Sequence, residues 1–325
     1  MLSFENILQQ IEDAVRKLEF DCPPASLYEP VKYILSLGGK RIRPALVLIA
    51  YTMYKDNATS ALNTALGWEV FHNFTLLHDD LMDKADMRRN KPTVHKVWNE
   101  NTAILSGDTM LVLAYQQMCR IDNPVLLKKV LDIFTEMALE IGEGQQYDME
   151  FETRDDVTEE EYIEMIRLKT SVLLASALKI GALLGGASDK EACLLYDYGV
   201  QVGLAFQLQD DYLDVYGDPA LFGKKIGGDI LCNKKTYMLI NALLLADDGQ
   251  RVELKRWIDA KEYESQEKIQ AVTALYDQIG IRELCDKKIT AYFEKAGECL
   301  NALEVDDCRK QMLREFIGSL IHRNV

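Results

Sequence analysis

Apolar residues recur at spacings of three and four along almost the whole chain, a period that admits helices and little else. Leu62, Leu66, Val70, Phe74, Leu77 and Leu81 mark one such face. Similar runs cover Leu105 to Met118, Leu126 to Ile141, Tyr162 to Leu184, Leu194 to Val215, Met238 to Leu245, Ile281 to Leu300 and Met312 to Ile321. Strand-type alternation bounded by turns is not evident. Pro30, Pro44, Pro92, Pro124 and Pro219 are expected near element starts or in connections, where proline is tolerated. Small residues between Leu173 and Gly186 allow close helix approach or leave room for a cavity. No linker or low-complexity tract interrupts the pattern. The expected architecture is all-α: one domain over residues 1–325, a bundle of about a dozen helices.

Two of these helical segments carry something unusual. Asp79-Asp80-Leu81-Met82-Asp83 and Asp210-Asp211-Tyr212-Leu213-Asp214 each hold an Asp doublet with a third Asp four places after the first. Residues i and i+4 neighbour each other on a helix face, so each segment presents carboxylates one turn apart. Two such rows facing each other concentrate negative charge that requires cations. Mg²⁺ suits them, because it binds a few carboxylates, keeps several waters and takes its other ligands from substrate phosphates. Three further doublets serve as controls: Asp155-Asp156, Asp247-Asp248 and Asp306-Asp307 are followed at i+4 by Glu159, Arg251 and Lys310. None completes the pattern, and all lie in polar stretches where solvated acidic faces explain them.

The net charge of −15 argues against nucleic acid or an anionic membrane as a partner. It also means that any phosphate must be met by metal or by local cationic clusters. Seven cysteines are scattered without a CxxC, as in reduced thiols of a cytoplasmic protein. Four histidines make a zinc site a poor fit. Met1 to Gln10 has no basic start or apolar run of the signal-peptide kind. Apolar stretches such as Ala45 to Tyr54 are too short to span a bilayer, so no transmembrane segment is expected.

Basic residues gather in four places: Gly38-Gly39-Lys40-Arg41-Ile42-Arg43-Pro44, Arg88-Arg89, Lys169-Thr170, and Gly223-Lys224 with Lys234-Lys235. Alone, each would read as a solvated surface or an ordinary turn. Together, each is tied to an apolar helix end or to an Asp row. Backbone amides of a Gly-Gly turn form an anion nest, and the arginine fork matches phosphate oxygens. At ~100° per residue, His72, Asp79 and Asp83 share one helix stripe, which makes His72 a candidate substrate contact.

In this order and combination, the motifs resemble those of the trans-isoprenyl diphosphate synthases, or polyprenyl synthetases. The resemblance rests on the segment Gly38 to Pro44, on Asp79 to Asp83 continuing to Arg88-Arg89, and on Gly144-Gln145-Gln146-Tyr147-Asp148. It continues through Lys169-Thr170, Phe206 to Asp214, and Gly223-Lys224 to Gly227-Gly228-Asp229. It implies an all-α bundle around a deep central cavity, usually a homodimer. It implies head-to-tail condensation of isopentenyl diphosphate onto an allylic diphosphate, with three Mg²⁺ ions beside the bound diphosphate. Asp79, Asp83 and Asp210 then resemble metal ligands, with Asp80, Asp211 and Asp214 in support. Arg88, Lys169, Lys224 and Lys234 resemble the holders of the allylic diphosphate, and Lys40, Arg43, His72 and Arg89 those of isopentenyl diphosphate. Thr170 and Gln207 match positions whose oxygens lie near the allylic carbon. Asn90 stands where the family commonly has Gly. Asn accepts left-handed backbone, so the turn is expected to survive. The end of the chain, Ile321 to Val325, is less basic than in many relatives.

The chemistry implied is heterolysis of an allylic C–O bond in a dry cavity, with the released pyrophosphate as the expected base. Phe74 and Thr75, five and four residues before Asp79, resemble the chain-length positions of geranylgeranyl-length (C20) enzymes; farnesyl-length or longer products are the alternatives. Phe74 also has an ordinary reading as a core aromatic. A class I terpene cyclase shares the Asp-rich helix, but its second metal motif is typically of the Asn/Ser/Glu kind and it needs no second diphosphate site. A non-catalytic partner subunit would leave the intact motifs without purpose.

Overall fold

A computed structural model describes residues 3–218 and 226–321. Among these residues the all-α expectation holds. The only strands are Met87–Arg88 and Lys91–Pro92, a minimal antiparallel hairpin that the sequence reading did not anticipate. Arg89 and Asn90 close it at φ 52° and 62°. Positive φ at both central residues is the turn that matches strand twist, so Asn90 fills the glycine position without disturbing it.

The helices are Phe4–Arg16, Ala25–Ser36, Ile42–Thr52, Leu62–Met82, Glu100–Met118, Pro124–Phe151, Glu159–Ile166, Val172–Gly185, Asp189–Tyr216, Tyr237–Leu245, Asp248–Asp259, Ser265–Ile279, Ile281–Asn301 and Asp307–Ile321, with four-residue turns at Val94–Val97 and Gly228–Leu231. Local chemistry sets several starts. Ser3 with Asn6, Thr158 with Glu161 and Asp247 with Gln250 form reciprocal caps. Pro30 departs from expectation: it lies inside Ala25–Ser36, one turn in, with its ring buried.

The three control doublets have structural roles. Asp247 caps a helix through Gln250 N at 2.8 Å. Asp156 pairs with Arg154 at 2.8 Å. Asp307 opens the helix Asp307–Ile321 and lies 3.7 Å from Lys310.

The chain divides into two compact units. One comprises Met1–Thr135, Ser176–Leu195 and Glu304–Met312. At its centre lies Leu62–Met82, which is buried on every side from Thr64 to Asn73. The expected apolar face was therefore too narrow. Its buried polar residues include Glu69, His72 and Asn73, which are bonded at Oε1, Nε2 and Nδ2 but leave Oε2, Nδ1 and Oδ1 without a hydrogen-bond partner. Aromatic rings line its flank: Phe134 meets Trp68, Phe71 and Tyr115 with centroids 5.3, 5.1 and 4.9 Å apart. In this unit the small residues serve close approach. A methyl on Gly181 would fall 2.2 Å from the Val47 carbonyl oxygen.

The other unit comprises Glu136–Ala175, Tyr196–Leu303 and Leu313–Val325. Tyr162, Tyr198 and Tyr237 are among its fully buried large side chains. The helical run Glu159–Gly185 begins in this unit. By length and composition it could cross a membrane, which no uninterrupted apolar run had indicated. However, 78% of its most apolar window is buried inside the protein, so its apolar surface is consumed by packing.

Candidate active site

In the first unit the Gly38-Gly39 turn, at φ 75° and 138°, leads into the helix Ile42–Thr52. The guanidinium of Arg89 occupies the space a side chain at position 39 would need; a Cβ there would lie 2.6 Å from Arg89 Nη2. Two residues into the same helix, Arg43 Nη1 lies 3.1 Å from His72 Nε2. Arginine can only donate, so Nε2 accepts and the ring is neutral with its proton on Nδ1. That Nδ1 is buried without a hydrogen-bond partner. Burial first, then the charges of Arg43, Arg89, Arg88 and Arg41, hold the His72 pKa well below its ordinary value. Burial likewise lowers Arg89; Glu69 and Asp80 oppose this, and Arg41 and Arg88 add to it. Lys40 is exposed.

The first Asp row lies at the end of Leu62–Met82. Asp83 caps the helix, and its N–H bonds Asp79 O at 2.9 Å, so the two residues are one turn apart. Asp79 is half-buried and Asp83 exposed. Asp80 is buried and forked by Arg88, with Nε to Oδ2 and Nη2 to Oδ1 both at 2.7 Å. Arg88 is thus anchored by the Asp row it follows. Phe74 packs between His78 and Phe71, with centroids 4.8 and 5.5 Å away, and Thr75 Oγ1 donates to His72 O at 2.8 Å.

In the second unit the second row lies near the end of Asp189–Tyr216. Asp211 is buried and accepts from the Tyr162 hydroxyl and, at 3.2 Å, from Gln207 Nε2. Gln207 Oε1 accepts from Thr170 Oγ1 at 3.2 Å. Burial and the neighbouring Asp229 push the Asp211 carboxyl up to about 7, against the pull of Lys234 and its two donors. Asp210 is half-buried. Asp214 Oδ2 accepts from Asp229 N at 2.9 Å, which ties the loop after the row back onto it.

Lys169 and Thr170 lie in a π-helical turn, Arg167–Ser171, rather than in regular helix. Such turns are rare and cluster at functional sites. Gly144 permits this one: a Cβ there would sit 2.4 Å from Lys169 N. Lys169 Nζ reaches Asp148 at 2.6 Å. Burial alone would raise the Asp148 carboxyl, but Lys234 and Lys169 outweigh it and hold the pKa below the usual value. Lys235 pairs instead with Asp155 at 3.3 Å. Lys224 and Gly223 lie outside the described residues, as do His322 to Val325.

Sequence reasoning assigned no role to Tyr162, Glu69 or Asp148. Asp148 was within reach, since it ends the segment Gly144 to Asp148. Tyr162 carries no local signal. Among the described residues no three His, Cys, Asp or Glu side chains form a closed cage. The oxygen-only rows fit an ion that keeps waters and takes its other ligands from a substrate phosphate.

A family model of the polyprenyl synthetases matches residues 24–276. The geranylgeranyl diphosphate synthase of Methanosarcina mazei is 38% identical over 321 residues, covering 98% of this chain and 96% of that protein. A crystal structure of a geranylgeranyl pyrophosphate synthase superimposes with a TM-score of 0.95, at 43% identity over 100% of both chains. A geranylgeranyl pyrophosphate synthase from Corynebacterium glutamicum, solved with isoprenyl diphosphate and magnesium, gives a TM-score of 0.82 at 26% identity, over 99% of this chain and 97% of that one. The chain belongs to the polyprenyl synthetase family. Within it, this is an isoprenyl diphosphate synthase, a trans-prenyltransferase of the short-chain kind.

His72 gives a test of the buried polar face. As pH falls through about 6.5, the unfolded chain protonates this histidine and the folded chain does not. The unfolded state then binds more protons, so stability present above that pH is lost below it. Wild-type Tm is expected to fall between about pH 7.5 and 5.5, and less steeply in His72→Gln. Equal slopes by thermal denaturation would show that His72 is not held neutral.

Proposed function

We propose that the enzyme joins isopentenyl diphosphate to an allylic diphosphate using the residues described above, with geranylgeranyl diphosphate (C20) as product. The supporting observation is the presence of two separate cationic clusters, each beside an Asp row. Arg43 and Arg89 gather about His72, and Lys169 and Lys234 gather at Asp148. Two diphosphates call for two such clusters, whereas a cyclase of one diphosphate needs only one.

In this reading Lys40, Arg43, His72 and Arg89 hold isopentenyl diphosphate. Arg88, Lys169, Lys224 and Lys234 hold the allylic diphosphate, and Thr170 and Gln207 orient oxygens toward the allylic carbon. Fixed positive charge then meets the negative charge that develops on the leaving group. Asp79, Asp83 and Asp210 would hold magnesium, three ions with a bound diphosphate, with Asp80, Asp211 and Asp214 fixing their surroundings. When bound, the metal supplies Lewis-acid neutralisation of the diphosphate. In this reading the chain acts as a single domain, and a dry cavity lined by apolar helix faces would keep water from the allylic cation. The lost proton goes to pyrophosphate, because His72, the histidine of the isopentenyl cluster, is committed to Arg43.

Labelled isopentenyl diphosphate with each allylic starter is expected to give chain elongation that EDTA abolishes. Asp79→Ala and Asp210→Ala should each lower kcat/KM by roughly 10³-fold, several kcal/mol of lost stabilisation. Turnover of the allylic substrate without isopentenyl diphosphate would favour a cyclase instead.

For chain length, the same assay is expected to give shorter products with Thr75→Phe and longer ones with Phe74→Ala. The packing of Phe74 between His78 and Phe71 supports a wall at this position. Unchanged products in both variants would remove the pair from the ruler.

The helix Glu100–Met118 exposes Ile104, Leu105 and Val112, which supports a homodimer formed through this face. All seven cysteines are free, which supports a cytoplasmic setting. Gel filtration of a soluble lysate fraction should recover a dimer, and Leu105→Asp should convert it to a monomer. A monomeric wild type would remove the dimer, and recovery in the membrane pellet would remove the compartment.

A further inference from the structure

Three cations enter the turn Gly38 to Pro44, and they part ways. Lys40 is exposed and Arg43 turns onto His72. Arg41 is 5% exposed and stands at φ 47°, ψ 29°, a left-handed backbone that non-glycine residues adopt at a cost. It precedes the first residue of Ile42–Thr52 and makes no side-chain cap there. Its guanidinium is committed on all three arms. Nε donates to Glu12 Oε1 at 2.8 Å, Nη1 to Glu69 Oε1, and Nη2 to Leu35 O at 2.9 Å. Glu69 is 2% exposed and also accepts from Asn73 Nδ2 at 2.7 Å.

The three acceptors come from three helices, Phe4–Arg16, Ala25–Ser36 and Leu62–Met82. Two of the connections bear on the isopentenyl diphosphate cluster. The Arg41 backbone sits between Gly39, against which Arg89 lies, and Arg43. Glu69 lies one helical turn before His72, which Arg43 meets. A charge pair placed only for stability would not need to join the two segments that supply the substrate contacts.

We propose that Arg41, through Glu69, is a positioning residue for the isopentenyl diphosphate site. It touches no substrate. It fixes the turn and its register against Leu62–Met82 so that Arg43, His72 and Arg89 converge. This rests on the reading of those three residues as the isopentenyl site. Only arginine serves, because three diverging acceptors need a planar fork rather than a point charge.

The test is steady-state kinetics on Arg41→Lys, Glu69→Gln and Arg43→Gln, with Tm confirming that each is folded. Arg41→Lys keeps the charge and loses the fork. It should raise KM for isopentenyl diphosphate about tenfold, as expected for one charge-assisted contact set out of place, and leave KM for the allylic substrate within about twofold. Glu69→Gln keeps the shape and should show the same split, so it carries the test if Arg41→Lys does not fold. If Arg43→Gln raises KM for isopentenyl diphosphate while folded Arg41→Lys and Glu69→Gln leave it unchanged, the positioning role is overturned and the site assignment stands. Equal rises in both KM values for Arg41→Lys would mean general distortion and would also overturn it. If Arg43→Gln leaves KM for isopentenyl diphosphate unchanged, the site assignment itself fails.

Discussion

A charged side chain inside an apolar helical bundle must be neutralised or it will not stay there. Most of what distinguishes this protein follows from that constraint. Glu69 and Asp211 are buried in helices, and each has found donors: Arg41 and Asn73 for one, Tyr162 and Gln207 for the other. Those donors in turn fix the backbone segments that carry the exposed or half-exposed charges, Arg43 and Arg89 in one unit and Asp210 in the other. The buried pairs hold the frame, and the accessible charges can then meet polyanions. A cation that is partly desolvated, as Arg43 is, interacts more strongly with an anion than it would in water.

Much of this was legible in the sequence where the signal is local. The spacing of Asp79 and Asp83 survives as a backbone hydrogen bond across one helical turn, even though the helix ends there. The control doublets fell outside the pattern because Glu159, Arg251 and Lys310 stand where a third Asp would be needed, and each has a cap, an ion pair or a helix start to account for it. The stripe from His72 to Asp79 placed the histidine correctly on Leu62–Met82. What stayed hidden depends on partners distant in sequence. Nothing in Lys40-Arg41-Ile42-Arg43 reveals that one arginine turns inward to Glu69 and the other toward His72. Tyr162 reaches Asp211 from another helix. The π-helical turn at Lys169 depends on packing against Gly144, which helix periodicity does not encode.

The fold also explains why a run such as Glu159–Gly185 misleads composition-based reasoning. An apolar helix looks the same to a hydropathy average whether lipid or protein covers it. Here protein covers 78% of the most apolar window.

Gly39 carries one further implication. Its missing side chain is a vacancy that another residue's guanidinium has taken over. Any larger residue at 39 would displace the Arg89 guanidinium and also strain a backbone at φ 138° that side-chain-bearing residues rarely adopt, so the damage would combine weakened charge at a distance with a distorted turn. A side chain at 39 therefore needs two changes at once, a rerouted arginine fifty residues away and a different backbone path through the turn.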